Sequence, residues 1–230
     1  MALSMGFVIT GCSDDDKNNE EPNSPKVAMA VSSMYGGYDG EEQELWLKDV
    51  TYDNQGRPVS YTNSSGQKVS YTYSDTKIVR QCAGYSEEFQ LSNGLIVKDS
   101  YGTNYKYDGN NQLTSIAGDF TIKWSDGNPK SSVVDGETET FDYYTDANIL
   151  GCLQSIAYSI EFIGTGEPLL QAAGFFGSLP KNMLKSVYYE GSLSQTFTYS
   201  DYNEYGYPCT MKIVDYDDDV QTYTFTWVKI

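Results

Sequence analysis

The sequence predicts an all-β protein: an antiparallel meander of about a dozen short strands, forming a strongly curved sheet or barrel. Two observations support this fold class. Segments 50–61 and 105–116 each alternate apolar and polar residues, break at a cluster of Asp, Asn and Gly, and alternate again, as β-hairpins do. Tyrosine dominates the aromatic residues, with 21 copies against 9 Phe and 3 Trp, and it suits a pleated, half-buried surface.

Individual strands show a period of two. Such alternation predicts a strand with one buried face and one wet face. Turn clusters rich in Gly and Asn separate the runs and leave too little chain for helical crossovers, so each strand should pair with its neighbours. The clearest runs place Val69, Tyr71 and Tyr73, then Phe120, Ile122 and Trp124, then Tyr223, Phe225 and Trp227 on one face. Aromatic residues recur about once every one or two hairpins, at Tyr52, Tyr73, Tyr107, Trp124 and Tyr144.

One segment departs from the strand pattern. Pro168 suits a first helical turn, the residues behind it are mostly Leu and Ala, and Gly174 or Gly177 supplies a stop, so the sequence predicts one short helix. Because its apolar residues leave no polar face, this helix should be covered. We expect it to plug one end of the curved sheet or to cover its edge. A lid over a pocket is the alternative.

The chain is predicted to have three parts. Residues 1–11 form a signal peptide that an upstream start would lengthen. Residues 12–33 form an acidic, disordered tether, because residues 13–25 contain no apolar side chain and cannot bury enough surface to fold. Residues 34–230 form a single β domain, and the Gly-rich residues 35–40 should be a flexible lead-in to its first strand.

The end of the signal peptide indicates a lipid anchor. An uncharged apolar stretch that ends in Ile9, Thr10, Gly11 and Cys12 resembles the lipobox of bacterial lipoproteins. The resemblance implies cleavage before Cys12 and acylation of Cys12. The acidic run directly after it resembles the surface-export signal of lipoproteins in Bacteroidota, which implies the outer membrane, lipid-anchored and facing outward. The membrane would then be a partner, with each buried methylene contributing about 0.8 kcal/mol.

Two further resemblances concern the body of the chain. Residues 52–57 and 66–73 resemble the tyrosine-aspartate (YD) repeat of Rhs-type proteins. Together with the lipobox and the tether, the chain resembles a family of uncharacterised Bacteroidota outer-membrane lipoproteins with a porin-like fold. These resemblances imply a strongly curved antiparallel sheet, open or closed into a barrel. Neither supplies a catalytic motif.

The charge and composition of the chain argue against several classes of function. The chain carries 15 Lys and Arg against 32 Asp and Glu, a formal charge of −17, which argues against nucleic acid as a partner. It contains no histidine, so Ser-His-Asp triads, Cys-His dyads and His-bearing metal sites are excluded. We expect a protein that is not an enzyme and needs no cofactor. The absence of histidine excludes only His-dependent mechanisms, and chemistry by paired carboxylates stays open.

The expected function is a surface-anchored binding or structural module. Carbohydrate is the expected ligand class, because sugar rings stack on aromatic faces; another surface protein is the other partner considered. A carboxylate-dependent glycoside hydrolase and an adhesive subunit without a small ligand are the alternatives. For any single tyrosine, the simpler interpretation is a strand residue with its hydroxyl in water. The candidate ligand-binding residues lie in or near turns: Tyr144, Tyr189, Tyr202, Tyr205 and Tyr207.

The acidic run at residues 215–219 is a candidate metal site. Asp215, Asp217 and Asp219 alternate along the chain and could ligate Ca²⁺, which prefers oxygen ligands; a tight acidic turn is the alternative.

An oxidising envelope permits a disulfide among Cys82, Cys152 and Cys209, but three thiols leave at least one unpaired. Their spacing matches no metal motif, so we interpret them as small buried apolar residues.

Overall fold

The computed structural model describes residues 28–118, 120–147 and 167–230. The predicted signal peptide, Cys12, most of the predicted tether and Cys152 lie outside these residues. Among the residues described, no helix is long and apolar enough to cross a lipid bilayer. The elements are β1 (Met29–Tyr38), β2 (Glu44–Tyr52), β3 (Pro58–Asn63), β4 (Lys68–Tyr73), β5 (Lys77–Cys82), β6 (Tyr85–Ser92), β7 (Leu95–Lys98), β8 (Tyr105–Tyr107), β9 (Leu113–Ile116), β10 (Phe120–Ser125), β11 (Asn128–Val134), β12 (Glu137–Ala147), α1 (Pro168–Ala172), β13 (Asn182–Tyr189), β14 (Ser192–Tyr202), β15 (Pro208–Asp215) and β16 (Val220–Lys229).

All sixteen strands belong to one antiparallel sheet with the order β7-β6-β5-β4-β3-β2-β1-β16-β15-β14-β13-β12-β11-β10-β9-β8. Neighbours along the chain pair with each other, and β1 pairs with β16, so the sheet curves into a nearly closed barrel. The predicted antiparallel meander is confirmed. The predicted number of strands was too low, because β7, β8 and β9 have only three or four residues each and are too short to show alternation.

The start of the sheet differs from the prediction. β1 begins at Met29, so residues 29–33 belong to the sheet and not to the tether. Residues 35–38 also lie in β1, and they are not a flexible lead-in. Gly36 is buried in this strand. A Cβ at this position would collide with the ring of Tyr223 and approach the indole of Trp46. The absence of a side chain at Gly36 therefore lets the Tyr223 ring lie close to the backbone of β1.

Strict antiparallel alternation gives the barrel two ends. The terminal end holds residue Ala28 next to Ile230, whose N–H donates to the Ala28 carbonyl at 3.2 Å. It also holds the turns at 53–57, 108–112 and 203–207. The far end holds the turns at 39–43, 83–84, 99–104, 190–191 and 216–219. Odd-numbered strands run from the terminal end to the far end, and even-numbered strands run back.

The inward face of the sheet forms the core. Phe89, Phe141 and Phe197 are among its fully buried side chains, and each contributes about 1.5–3 kcal/mol relative to exposure. Leu169 and Leu170 of α1 join the same cluster. The outward face is polar, with exposed side chains such as Thr121, Lys123, Thr198, Lys212 and Thr226.

Five turns share one hydrogen-bonding pattern. An Asp or Asn side-chain oxygen accepts the backbone N–H groups two and four residues later. The residue three positions later has positive φ and donates its N–H to the carbonyl of the Asp or Asn. This is a type I turn followed by a left-handed residue, a common hairpin connection. The five first residues are Asp53, Asp99, Asp108, Asn203 and Asp215.

A belt of aromatic side chains lines the inside of the barrel near the terminal end. Each ring is half-buried against the core, lies on an even-numbered strand, and donates its polar hydrogen to a backbone carbonyl of another strand. A hydrogen bond of this kind contributes about 1 kcal/mol. We call these seven donors the aromatic belt. The donor–acceptor pairs are Tyr52–Val31, Tyr73–Pro58, Tyr107–Ile96, Trp124–Leu113, Tyr144–Phe197, Tyr199–Leu184 and Trp227–Pro208, at 2.5–3.0 Å.

The barrel has a seam between β7 and β8, the two strands at the ends of the strand order. These strands meet through an isolated bridge between Lys98 and Asn104. The backbone groups of Ile96 bond to the strap and to a side chain of β8, and not to the β8 backbone. The Ile96 N–H donates to the Phe175 carbonyl at 2.8 Å, and the Ile96 carbonyl accepts the Tyr107 hydroxyl at 2.6 Å. The polar backbone groups of this edge residue are therefore satisfied without a continuous strand ladder.

Residues 167–178, which we call the strap, cover this seam. Phe175 stacks on Tyr73 with ring centroids 5.5 Å apart, and Phe176 meets Tyr105 edge-on at 5.2 Å. Beyond the seam, the Ser178 N–H donates to the Asn111 carbonyl at 2.8 Å. The predicted short helix is confirmed, and it serves as an edge cover whose apolar residues also fill the core.

Gly177 fixes the strap against the turn at 108–112. It has φ +90°, and a Cβ there would lie far inside van der Waals contact with the Asn111 carbonyl oxygen. Gly136 has the same φ of +90° with open space around it. We expect Gly177→Ala to lower the free energy of unfolding by about 2–4 kcal/mol and Gly136→Ala by about 1 kcal/mol. Urea denaturation measures both; equal losses would show that the strap does not press on the turn.

Candidate functional site

The inside of the barrel holds a buried polar cluster, which we call the Arg80 cluster. Strands β4, β5 and β6 place Tyr71, Arg80 and Glu87 side by side, and the strap supplies Glu167. Arg80 Nε lies 2.9 Å from Glu167 Oε1, and Arg80 Nη1 lies 3.4 Å from Glu87 Oε2. The Tyr71 hydroxyl donates to Glu167 Oε2 at 2.6 Å. Both carboxylate oxygens of Glu167 are therefore engaged by the barrel wall.

The contact between Arg80 and Glu167 is an ion pair with imperfect hydrogen-bond geometry. The two atoms are close, but the Nε–H bond does not point at the oxygen. The Glu167 side chain is 6% exposed and that of Arg80 is 22% exposed. An ion pair at this depth loses much of its hydration, so its net contribution to stability is smaller than its short distance suggests.

The pKa values of the cluster reflect burial. Burial raises the pKa of Glu167 to about 7, although the charge of Arg80 and the hydrogen bond from Tyr71 act to lower it. Burial also raises the pKa of Glu87, against the lowering effect of Arg80. Burial and the nearby Glu167 charge raise the pKa of Tyr71 well above its usual range. At neutral pH, Glu167 is therefore the member of the cluster that exchanges its proton.

Two acids with raised pKa values are what the hydrolase alternative requires. Here, however, Glu87 and Glu167 are only 7% and 5% exposed as residues, and both contact Arg80. A sugar ring has no place between them unless the strap moves. The arrangement can hold a carboxylate, exchange a proton near neutral pH, and fasten the strap to the wall.

The described residues form two shallow depressions that could admit a small ligand. The larger, of about 380 Å³, is lined by Lys68, Ser70, Gln81 and Ser86 and by the turn that leads into Tyr85, on the outside of the barrel at the far end. The smaller, of about 210 Å³, lies at the terminal end beside the turn at 126–127. Neither is lined by Glu87 or Glu167. The larger one reaches the size of small-molecule sites.

Exposed aromatic side chains cluster at the far end. Trp46 is 37% exposed and meets Tyr223 edge-on at 5.6 Å. The Tyr85 and Tyr101 hydroxyls bond to each other, and that bond raises the pKa of Tyr85 to about 12. Among the described residues, fewer large apolar side chains are exposed toward the terminal end: Val59, Tyr202, Val228 and Ile230. The exposed set on the far half of the barrel is Tyr35, Tyr38, Trp46, Tyr85, Tyr101, Tyr189, Leu193 and Tyr216.

The predicted tyrosines do not form one site. Tyr144 belongs to the aromatic belt, and Tyr207 is 8% exposed and packs against Trp227 with ring centroids 4.8 Å apart. These two rings point inward and offer little exposed face to a ligand. Tyr205 is half-buried with the Lys229 ammonium 4.6 Å from its ring centroid, and Tyr202 is exposed on the same hairpin.

Tyr189 is the one candidate of the five that lies at the far end, where it is 40% exposed. A hydrogen bond to Glu137 raises its pKa to about 12. Sequence reasoning missed Tyr38, Trp46, Tyr85 and Tyr101 at that end. The available signal was position: Tyr101 occupies the middle of an Asp99-to-Thr103 turn, and Tyr85 directly follows the tight turn at Ala83 and Gly84. Ligand binding by any of these residues stays a prediction.

The acidic run at 215–219 is one of the five shared turns. Asp215 Oδ1 accepts the backbone N–H groups of Asp217 and Asp219, both at 3.0 Å, and Asp218 has φ +64°. Within the described ranges, no group of three acidic or Cys side chains is placed to hold a metal ion. The tight acidic turn is thus present, and calcium binding at Asp215, Asp217 and Asp219 stays an untested prediction.

Cys82 and Cys209 are free thiols in the structure, and both are half-buried. Cys82 Sγ lies 3.4 Å from the side-chain oxygen of Gln67 and 3.7 Å from the side-chain nitrogen of Asn63. The two cysteines are therefore not bonded to each other, and they are less buried than predicted.

The fold is shared with porin-like proteins of Bacteroides. A porin-like protein from Bacteroides uniformis ATCC 8492 is similar with a TM-score of 0.63 at 16% identity, covering 86% of this chain and 98% of that chain. A porin-like protein from Bacteroides vulgatus ATCC 8482 gives 0.58 at 15% identity, covering 85% and 97%. No family model and no curated protein matches the chain. At these identities the likeness establishes the fold, and the predicted porin-like fold is confirmed.

The raised pKa of Glu167 predicts a pH dependence of stability. Its carboxyl group has an ordinary pKa of 4.5, against about 7 when folded, so the folded chain holds its proton more tightly. Stability from this group is complete below pH 4.5 and is lost as the pH rises through 7. The loss amounts to about 3 kcal/mol. In Glu167→Gln this component should be absent. Denaturation of both proteins between pH 4.5 and 8 measures it, and parallel profiles would contradict the assignment.

Proposed function

We propose that this protein is a non-enzymatic binding module that is held at the outer-membrane surface by acylated Cys12 and presents its far end to a glycan. The observation that supports the proposal is the concentration of exposed aromatic side chains at the end of the barrel opposite the point where the chain enters the sheet. Aromatic faces with nearby carboxylates and hydroxyls suit sugar rings.

The point at which the chain enters β1 orients the module. Ala28 lies at the terminal end, directly before β1, so a tether that runs from Cys12 enters there. β16 has ten residues and spans about 33 Å at the usual strand rise. Tyr101 and Trp46 are then held on the side that faces away from an anchoring membrane.

The negative charge of the protein limits which glycans we expect it to bind. A formal charge of −17 repels polyanions such as sulfated glycans. At the far end Tyr189 forms a hydrogen bond with Glu137, which places a carboxylate beside an exposed ring. We therefore favour a neutral glycan.

The porin-like fold does not argue for conduction in this chain. Transmembrane β-barrels carry apolar residues outward and polar residues around a water-filled lumen. Here Phe89, Phe141 and Phe197 face inward in a filled core, whereas Thr198 and Lys212 face outward. This arrangement favours a module that binds on its surface over a channel.

Trp46 provides a direct reporter of glycan binding. Trp124 and Trp227 belong to the aromatic belt, so Trp46 is the tryptophan on the far half of the barrel. We expect a neutral glycan from a panel to change the tryptophan fluorescence, and the change to be much smaller in Trp46→Phe. Tyr101→Ala should weaken affinity about 3–10-fold through lost ring contact. Tyr202→Ala, an exposed tyrosine at the terminal end, is the matched control and should bind normally. A flat response across the whole panel removes the glycan proposal and leaves an adhesive or structural role.

The anchor is tested separately. Cys12→Ser removes the acceptor of the acyl chains, so we expect the protein to leave the membrane fraction and appear in the soluble fraction. Fractionation followed by immunoblotting measures this, with Cys82→Ser as the control that should stay membrane-bound. Retention of Cys12→Ser in the membrane would refute lipid anchoring.

A further inference from the structure

The Arg80 cluster holds a carboxylate in two-point contact. Arg80 Nε lies 2.9 Å from one oxygen of Glu167, and the Tyr71 hydroxyl donates to the other oxygen at 2.6 Å. Tyr61 stacks on Tyr71 with ring centroids 6.2 Å apart and closes one side of the pocket. A cation beside one oxygen and a hydroxyl donor to the other are contacts by which proteins recognise a carboxylate ligand.

The local needs of α1 do not explain where this carboxylate lies. Glu167 occupies the N-cap position, yet its side chain makes no capping hydrogen bond to the helix. It extends to strands β4 and β5 instead. A buried ion pair is seldom more stabilising than apolar side chains of the same volume, so holding the helix in place does not require a charged pair.

We propose that Arg80 and Tyr71 form a carboxylate-binding site inside the barrel, which Glu167 occupies as a ligand from the same chain. The site takes a small monocarboxylate, because Arg80 is the cation that faces it and Glu87 already lies 3.4 Å from that cation, so a ligand with two negative charges would be repelled. This inference is independent of the glycan proposal, which concerns the far-end surface.

Occupancy of the site is linked to closure of the seam. Glu167 begins the strap, and eight residues later Phe175 supplies the carbonyl that accepts the Ile96 N–H. Releasing the Glu167 carboxylate removes one of the contacts that hold the strap to the wall, next to the buried Leu169 and Leu170. The wall side of the site stays in place, because Tyr71 and Arg80 are directly paired residues of adjacent strands.

The test removes the tethered ligand and supplies a free one. Glu167→Ala leaves a space lined by Arg80 and Tyr71, and sodium acetate is the probe. We expect Glu167→Ala to have a lower melting temperature than wild type. That temperature should rise by about 3–6 °C at roughly 100 mM acetate if the dissociation constant is near 10 mM, because ligand binding stabilises the folded state by mass action. Wild type, whose site is filled, should gain no more than it gains from sodium chloride at the same ionic strength.

Three controls isolate the site. Glu167→Gln fills the space with a neutral side chain and should not respond to acetate. Arg80→Ala in the Glu167→Ala background should lose the response, and sodium sulfate should not replace acetate. If Glu167→Ala is unfolded in buffer, circular dichroism during acetate titration measures recovery of the fold. No specific gain from acetate in either form of the experiment, or an equal gain in wild type, overturns the proposal.

Discussion

The structure depends on satisfying the backbone polar groups where the sheet fails to close on itself. A sheet of sixteen strands has two edge strands, and each exposes N–H and C=O groups that can pair with another chain. In this barrel β7 and β8 are those strands. The Ile96 N–H and carbonyl are taken by Phe175 of the strap and by the hydroxyl of Tyr107. Closure is therefore completed by a side chain and a short irregular segment.

The aromatic belt applies the same solution elsewhere in the barrel. Strands β7, β8 and β9 have only three or four residues each, so ladder hydrogen bonds alone provide little register there. A ring from an even-numbered strand fills the core while its polar hydrogen binds a carbonyl on another strand. At Tyr52 and Tyr107 the next residue is the Asp that organises the turn. Tyr-Asp pairs thus join an inward anchor to an outward turn, which explains why segments 50–61 and 105–116 look alike.

Sequence patterns predicted the parts of the fold that are local. Alternation in residues 68–73, the Asp53 and Asp108 turns, and the helix after Pro168 all depend on neighbouring residues. The seam, the pairing of β1 with β16, and the contact between Arg80 and Glu167 join residues far apart in the chain, and no local pattern carries them. For a related reason, the sequence did not show which tyrosines are exposed. Tyr207 and Tyr101 both lie in turns, but Tyr207 is buried and packs against Trp227, whereas Tyr101 is exposed.

Three features are thus organised along one axis: a chain entry at the terminal end, a strap fastened by a buried carboxylate, and aromatic residues exposed at the far end. Native-state hydrogen exchange of the Ile96 amide tests the central claim most directly. Because its acceptor belongs to the strap, the account predicts protection comparable to that of amides in β5, which has strands on both sides. An Ile96 amide that exchanges as fast as an unprotected backbone amide, while β5 stays protected, would show that the strap does not close the barrel.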